Sequence, residues 1–498
     1  MWAIHSAHRT VTTLAGVYRL ALHLRRCVTP TCPHYHRLYR PEEEGGWALP
    51  HGEFGFDVIA LIGRLRYAEH RSVGEIHQHL LTRGIPLAER TVTYLVERYE
   101  ELVTLRLADH ARLRERLSAQ GRVILALDGL QPDRGHEVLW VIRECLSGEV
   151  LLARSLLSAT QGDLVALLRE VKQALPVPVS GIISDGQETI RTAVAAVFPD
   201  VPHQLCHYHY LKEATKPIFE ADHHAKTELQ KQIRGVRPLE RALEGRDDPE
   251  AAAIRGYCLA VRSAITDDGR PPLGAPGLRL HDRLQQIVTS LDRVAEKGGC
   301  RLTLAYLRLL LHRGLDATAT LWPEVRTAYG WVYQAAHILA NQEQEAGAAV
   351  RAKYDELLET VRAAQAHEGW LSGVAQRFLK VTANYEGGLF HCYDVSDLPA
   401  TNNDLERRFG SLRYHERRAS GRRAMSGRLV LRGAVRVVAV LSAKRPEEAT
   451  ADLRLRDRAA WQRLRQQLDA RAETRRAQRR FRRDPVVYLA ALEQQLLH

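Results

Sequence analysis

At 498 residues the chain is too long for one ordinary domain, and about three or four modules are expected. Lysine and arginine outnumber aspartate and glutamate by 71 to 59, so the formal net charge is +12, which favours a polyanionic partner such as nucleic acid. Seven scattered cysteines argue against a disulfide-stapled secreted scaffold. We find neither a signal-peptide pattern nor an apolar run near the roughly 18 residues of a membrane span, so we expect a cytoplasmic protein without a membrane partner.

The first fifty residues show no regular apolar period and are predicted to be irregular. They contain four side chains of the kind that binds zinc, namely Cys27, Cys32, His34 and His36. Their C-x₄-C-x-H-x-H spacing differs from that of a standard zinc finger. Residues 1–50 are therefore predicted to form either a small Zn²⁺-binding unit or an unliganded polar loop.

Residues 51–118 have a helical pattern typical of a helix-turn-helix. Ser72 and Glu75 form a capping box at the start of the second helix, and the segment 83–86 separates that helix from the third. The start of the third helix carries the side chains predicted to meet DNA: Arg90, Thr91 and Thr93. A plain packing module is the alternative.

Residues 119–211 have the pattern of an α/β sheet. Three β-rich runs, a helix, a strand, a helix and a further strand follow one another: 123–127, 138–143, 150–154, 163–175, 179–183, 188–198 and 202–205. Asp128 and Asp185 each come near the end of a strand, and a glycine follows each of them. This edge of an open α/β sheet commonly binds ligands, although Asp-Gly is also a common turn dipeptide.

Residues 212–398 are almost wholly helical in pattern, and residues 399–443 begin a further helix near Thr401. Glu406 lies about one turn into that helix, and Arg413 follows it two turns later on the same face. Asp404 and Glu416 of the same segment are alternative candidates to Glu406 as the functional carboxylate. Four arginines that could grip a DNA backbone come next, Arg417, Arg418, Arg422 and Arg423. Residues 444–498 form an arginine-rich tail, which is either a solvated amphipathic helix or a DNA-binding arm.

Carboxylates that converge from separate strands and helices suit phosphodiester chemistry. Two divalent ions about 4 Å apart can align a nucleophile with phosphorus and neutralise charge on the attacking and leaving oxygens. Mg²⁺ prefers oxygen ligands and keeps several waters, so two or three carboxylates suffice. Asp128, Asp185 and Glu406 are the candidates for such ligands.

The combination of Asp128, Asp185, the run Cys206-His-Tyr-His209, a long helical insert and the run Thr401-Asn-Asn-Asp-Leu-Glu406 resembles the DDE transposases with an RNase H-like fold. The mutator-like and related bacterial insertion-sequence group, with its C-x-x-H motif, is the most similar. The resemblance covers Gly121 to about Met425. It implies an α/β RNase H-like catalytic core, at 119–211 and 399–443, interrupted by a large all-α insertion at 212–398.

By that resemblance, Asp128, Asp185 and Glu406 would hold two Mg²⁺ or Mn²⁺ ions, and Cys206 and His209 would have a structural or DNA-contact role. The enzyme would cleave DNA at transposon ends and join them to target DNA. Its partners would be terminal inverted repeats, target DNA and further copies of itself in a homodimer or higher oligomer, near a bacterial nucleoid. Arg407, Arg413, Arg417 and Arg418 are the further expected DNA contacts. The alternatives are a non-catalytic DNA-binding regulator derived from a transposase and a related metal-dependent DNA nuclease.

Overall fold

The structure is a computed structural model that describes residues 2–107, 109–131, 137–156, 160–299, 302–366, 368–421, 427–442 and 453–497. The chain divides into two compact units. Unit 1 consists of Met1–Ile182, Glu188–Val201 and Asn403–His498, and unit 2 consists of Ile183–Gln187 and Pro202–Asn402.

The N-terminal segment is a β-hairpin, so the prediction of an irregular segment was wrong. Strands β1 (Trp2–Thr13) and β2 (Gly16–Arg26) pair antiparallel, and β3 (Leu38–Tyr39) adds to the end of β2. Val11, Leu22 and Leu24 are buried on one side of the hairpin. An apolar period of two is present in β2, at Leu20, Leu22 and Leu24, but it is weak in β1, where Arg9 shares the inner face with Val11.

The predicted three-helix segment is confirmed as structure. It comprises α1 (Phe56–Tyr67), α2 (Val73–Thr82) and α3 (Glu89–Leu107), and α4 (His110–Gln120) follows. Ser72 and Glu75 form the expected capping box, with bonds of 2.7 and 3.3 Å between side chain and backbone. The apolar side chains at helical spacing along α3 are buried, at Val92, Leu95, Val96 and Tyr99.

The predicted order of strands and helices in the α/β region is also confirmed. The elements are β4 (Val123–Leu130), β5 (Val138–Glu144), β6 (Val150–Leu156), α5 (Gln161–Ala174), β7 (Val179–Ser184), α6 (Glu188–Val197) and β8 (His203–Leu205). The strands lie in the order β6-β5-β4-β7-β8, and β4, β5 and β6 pair antiparallel. The backbone N–H of Val123 donates to the carbonyl of Pro178, so β4 and β7 start side by side.

Four further helices complete unit 1: α16 (Asn403–Ser420), α17 (Gly427–Ser442), α18 (Arg458–Arg483) and α19 (Pro485–Leu497). Helix α16 packs on one face of the sheet, where Leu405, Phe409 and Leu412 share a core with Leu139 and Val141 of β5. The arginine-rich tail is helical, as predicted, and most of α18 is exposed.

The other face of the sheet buries a separate core. Leu125 and Leu127 of β4 pack there with Trp140 of β5 against α4, α5 and α6. Residues that alternate along β4 and β5 therefore serve opposite faces, as the pleat of a strand requires. The sheet is covered on both sides, which explains why its strands read as nearly continuous apolar runs.

Unit 2 is a helical bundle. Its helices are α7 (His207–Gln232), α8 (Val236–Arg241), α9 (Pro249–Thr266), α10 (Pro276–Glu296), α11 (Leu302–Ala317), α12 (Trp322–Ala340), α13 (Gly347–Gln365), α14 (Trp370–Tyr385) and α15 (His391–Asp394). Helix α7 packs against α10, α11, α12 and α14 and buries Tyr210, Ile218 and Leu229 at the centre of the bundle. The predicted all-helical character of this region is confirmed. Among the described residues, no helix has the length and apolar character needed to cross a membrane.

Candidate active site

Asp128 lies within β4, with 7% of its surface exposed, opposite Val141 of β5. Residues opposite each other in an antiparallel pair share a face. Asp128 therefore projects from the sheet face on which α16 packs. Its carboxylate accepts a hydrogen bond of 2.8 Å from the backbone N–H of Gly129. On the opposite face of the sheet, a Cβ at Gly129 would lie 3.2 Å from the ring of Trp140, so this position favours glycine.

Glu406 lies in the first turn of α16 and is half-buried. An ion pair fixes this turn to the sheet, because Arg143 of β5 donates to Asp404. Arg143 follows Val141 by two residues and so belongs to the same face as Asp128. Within unit 1, Asp128 and the helix turn that carries Glu406 thus share one face of the sheet.

Both rivals of Glu406 take part in ion pairs. Asp404 accepts from Arg408 at 3.1 Å as well as from Arg143. Partial burial raises the pKa of Asp404, but the two arginines outweigh it and hold that pKa below its usual range. Glu416 is 2% exposed and accepts from an arginine of α17 at 2.9 Å. Asp404 and Glu416 therefore have structural roles in ion pairs, and Glu406 stays the predicted third metal ligand.

Asp185 directly follows β7 and belongs to unit 2. Its carboxylate accepts a bond of 3.0 Å from the backbone N–H of Gln187, and its carbonyl accepts one of 3.1 Å from the hydroxyl of Tyr385. Gly186 has a φ of +87°, and a Cβ there would lie 2.7 Å from the Tyr385 ring. Both the backbone conformation and the close contact therefore require glycine after Asp185.

A cavity of about 440 Å³ lies beside Asp185 within unit 2. One face of α7 lines it with His209, Lys212, Lys216 and Phe219, at helical spacing. Both lysines are exposed. These lysines were not predicted as site residues, although the sequence shows their i, i+4 spacing just after the C-x-x-H motif.

An acidic residue on the same wall, Glu213, is engaged by its neighbours. It accepts a bond of 3.0 Å from Arg377 and one of 3.4 Å from Tyr385. Glu220 of the same helix also lines the cavity, so the wall carries both the two lysines and carboxylates.

Cys206 and His209 have different positions. The sulfur of Cys206, which is fully buried, accepts a bond of 3.3 Å from the backbone N–H of Asn402, just before α16. The backbone N–H of Cys206 donates to the carbonyl of Ser184 at 2.9 Å. Cys206 therefore joins the end of β7 to the segment that leads into α16, while His209 lines the cavity beside Asp185.

The predicted DNA contacts lie mostly at the surface. Arg90 is exposed at the start of α3, and Thr91 and Thr93 are half-buried there. On α16, Arg407, Arg413, Arg417 and Arg418 are all exposed. Arg422 and Arg423 lie outside the described residues.

Arg418 has a protein partner, which the sequence analysis did not predict. It donates to Glu75 of the capping box at 2.5 Å, and this bond, with those from Ser72, lowers the pKa of Glu75 to about 2. The end of α16 is thereby attached to the start of α2.

Helix α16 has a second connection, this time to α3, and it is buried. We call it the buried charge network and define it by Glu100, Arg432, Arg436 and Glu416. Arg436 of α17 donates to Glu100 of α3 at 3.1 Å and to Glu416 of α16 at 2.9 Å, and Arg432 donates to Glu100 at 2.5 Å. Burial raises the pKa of Glu100, but Arg436 and Arg432 outweigh it and hold that pKa below its usual range.

The N-terminal Cys/His cluster forms a closed loop. The backbone N–H of Cys27 donates to Arg37, and that of His36 donates back to the carbonyl of Cys27 at 3.0 Å. Hydrogen bonds to Thr29 lower the pKa of the Cys27 thiol, and a bond with Cys32 acts in the same direction. Among the described residues, no three His, Cys, Asp or Glu side chains are grouped so that they could hold a metal ion. Zinc binding by this loop and Mg²⁺ binding by the three carboxylates both stay predictions.

The sequence matches no protein-family model, and it matches no curated protein sequence.

Proposed function

We propose that the protein is a DNA transposase of the DDE type, with an RNase H-like catalytic core. The observation that carries the proposal lies within unit 1. A strand of the sheet supplies Asp128, and the helix on the same face supplies Glu406 in its first turn, held there by the Arg143–Asp404 pair. The order of three antiparallel strands, helix, strand, helix and strand supports this assignment.

The donor set fits a hard divalent cation. Asp128, Asp185 and Glu406 offer only carboxylate oxygens, which are the ligands that Mg²⁺ and Mn²⁺ accept. Two such ions, when bound, would align the nucleophile with phosphorus and neutralise charge on the attacking and leaving oxygens. Water would cleave the strand at a transposon end, and the 3′-hydroxyl released would attack the target DNA.

Each unit carries basic side chains that would suit a polyanionic substrate. Lys212 and Lys216 face the cavity beside Asp185, where they would contact phosphate oxygens. Arg407 and Arg413 are exposed on the helix that carries Glu406. The turn at Gly186, packed on Tyr385, would keep the Asp185 backbone fixed during the reaction.

The test is metal-dependent cleavage of DNA that carries the inverted repeats flanking the coding sequence. Wild type is compared with Glu406→Gln and with Asp404→Asn, and thermal unfolding verifies that each variant is folded. We expect cleavage by wild type in Mg²⁺ or Mn²⁺, at least a 100-fold loss in Glu406→Gln, and retained cleavage in Asp404→Asn.

Each other outcome rejects part of the proposal. Equal cleavage by wild type and Glu406→Gln would remove Glu406 from the site. Loss only in Asp404→Asn would make Asp404 the third ligand. Specific binding without any cleavage by wild type would favour the regulator, and cleavage without joining would favour the nuclease.

A further inference from the structure

The N-terminal hairpin presents two chemically different faces. Register pairs place Ala7 opposite Leu22 and Val11 opposite Tyr18, and buried Val11 and Leu22 mark this as the inner face. Arg9 belongs to the same face, where it donates to Glu44 and to the carbonyl of Gly52 at 3.1 Å. The inner face thus attaches the hairpin to the segment that follows it.

The opposite face is exposed and mostly polar. The pairs Ser6–His23, His8–Ala21, Thr10–Arg19 and Thr12–Val17 belong to it, and Arg25 continues it beyond His23. Val17, which is 67% exposed, is its large apolar side chain. We call it the ribbon face and define it by the exposed side chains Ser6, His8, Thr10, Arg19, His23 and Arg25. All six can donate hydrogen bonds, and none is a carboxylate.

The charge of residues 1–41 agrees with the absence of carboxylates from the ribbon face. Residues 1–41 contain six arginines and five histidines but neither aspartate nor glutamate. In a chain with 59 acidic residues, a segment of this length without any is unusual, and it is typical of a surface that binds a polyanion. The acidic residue that neutralises Arg9, Glu44, follows the segment and acts on the inner face.

The dimensions of the hairpin fit the major groove of duplex DNA. Strands lie about 4.8 Å apart, and the eight residues from Ser6 to Thr13 extend about 26 Å. The major groove is about 12 Å wide and admits a two-stranded ribbon, and arginine reads guanine O6 and N7 there. The ribbon face offers Arg19 and Arg25 for such contacts, with serine, threonine and histidine donors between them.

We propose that the N-terminal hairpin is a second DNA-reading element, which inserts its ribbon face into the major groove of duplex DNA, separately from helix α3. The proposal deepens the proposed function because it names a further part of the DNA that the protein reads. It does not require the loop at Cys27 to bind zinc.

The experiment uses the full-length chain and a 30-bp duplex that wild type selects from a random library. The ribbon variant is Arg19→Ala/Arg25→Ala, and the helix variant is Arg90→Ala. The control is Arg351→Ala/Arg362→Ala on α13, which removes the same charge from exposed positions of unit 2. Affinity is measured against salt concentration, and guanine-N7 methylation interference reports major-groove contacts.

We expect the ribbon variant to lose at least about tenfold in affinity and to lose a block of interfering guanines that the helix variant keeps. The control should keep both the affinity and every block. Arg19→Lys/Arg25→Lys guards against a folding defect, because it keeps the charge and loses bidentate base contacts. It should lose the same block while the salt dependence stays near that of wild type.

Unchanged affinity and interference in the ribbon variant would overturn the proposal, and so would failure of wild type to select any duplex. A weaker salt dependence with every block intact would mean phosphate contact alone and would overturn the groove assignment. These readouts need no cleavage, so a non-cleaving protein with a ribbon-dependent block would reject the transposase and retain the DNA-reading hairpin.

Discussion

The buried charge network predicts a large loss of stability when Arg436 is replaced by methionine. Arg436 is 2% exposed and bonds Glu100, which is fully buried, and Glu416, which is 2% exposed. Removal of one partner from a buried ion pair costs about 3–5 kcal/mol, because the remaining charge stays buried without its compensation. Methionine preserves most of the side-chain volume, so a cavity contributes little.

The loss of stability caused by Arg436→Met should depend on pH. In the folded wild type the pKa of Glu100 lies below its usual range, chiefly because Arg436 and Arg432 overcome the effect of burial. Its contribution to stability is therefore present above the unfolded pKa of about 4.3 and is lost as the pH falls through the folded pKa. Arg436→Met raises the pKa of Glu100, so the cost should be greatest near pH 7 and smaller near pH 4.

Thermal unfolding followed by calorimetry is the assay. At about 2.1 cal/mol/K per residue, a unit of about 290 residues has an unfolding entropy of about 0.6 kcal/mol/K, so about 3–5 kcal/mol corresponds to a fall in Tm of roughly 5–8 °C for the transition that includes unit 1. The matched control is Arg154→Met, which breaks an exposed bidentate pair with Glu170 in the same unit and should cost at most about 1 kcal/mol. Equal losses in the two variants, or a loss from Arg436→Met that does not change between pH 7 and pH 4, would refute the reasoning.

Two other predictions concern single turns. Gly186→Ala should destabilise unit 2 by about 1–3 kcal/mol, because alanine is strained at a φ of +87°. The control is Gly373→Ala, inside α14 with open space around it, which should be neutral or stabilising. The same thermal assay measures both variants. Arg418→Gln should raise the pKa of Glu75 from about 2 toward its ordinary range, so that the contribution of this carboxylate is lost at a higher pH as acid is added. An NMR titration of Glu75 measures this pKa, and a similar shift in Arg417→Gln would contradict the assigned pair.

Local sequence signals predicted much of the fold. The capping box at Ser72, the apolar period of α3 and the β-rich runs from Val123 onward each depend on residues a few positions apart, and the structure contains all of them. The N-terminal hairpin was missed because the inner face of β1 carries Arg9 and Thr13 beside Val11, and because its two-residue connection, Leu14–Ala15, lacks a standard turn signal. Polar strands carry a weak signal whichever face they expose.

The buried charge network could not be predicted for a different reason. Glu100 lies in a charged stretch of α3 that reads as solvated surface, and its partner Arg436 is more than 330 positions away. Likewise, the sequence allowed Asp404, Glu406 or Glu416 as the third ligand. The resemblance to the transposases selects Glu406, and the structure adds that Asp404 pairs with Arg143 and Glu416 with Arg436. Long-range ion pairs leave no local period, so the sequence could not predict these two contacts.

The network also bears on how DNA recognition and chemistry would be related. Glu406 and Glu416 lie ten residues apart on α16, about 15 Å along one helix. Glu406 lies in the turn that packs on the sheet. Glu416 is joined through Arg436 to Glu100 of α3, the helix that also carries Arg90. A DNA contact at α3 could move Glu406 only if the protein had two conformations that differ in the position of Glu406 and also in their affinity for DNA. Because a core and buried ion pairs connect these elements, we infer that α3 and α16 act as one rigid part. In the proposed transposase, the DNA position bound at α3 would then determine which phosphate reaches Glu406.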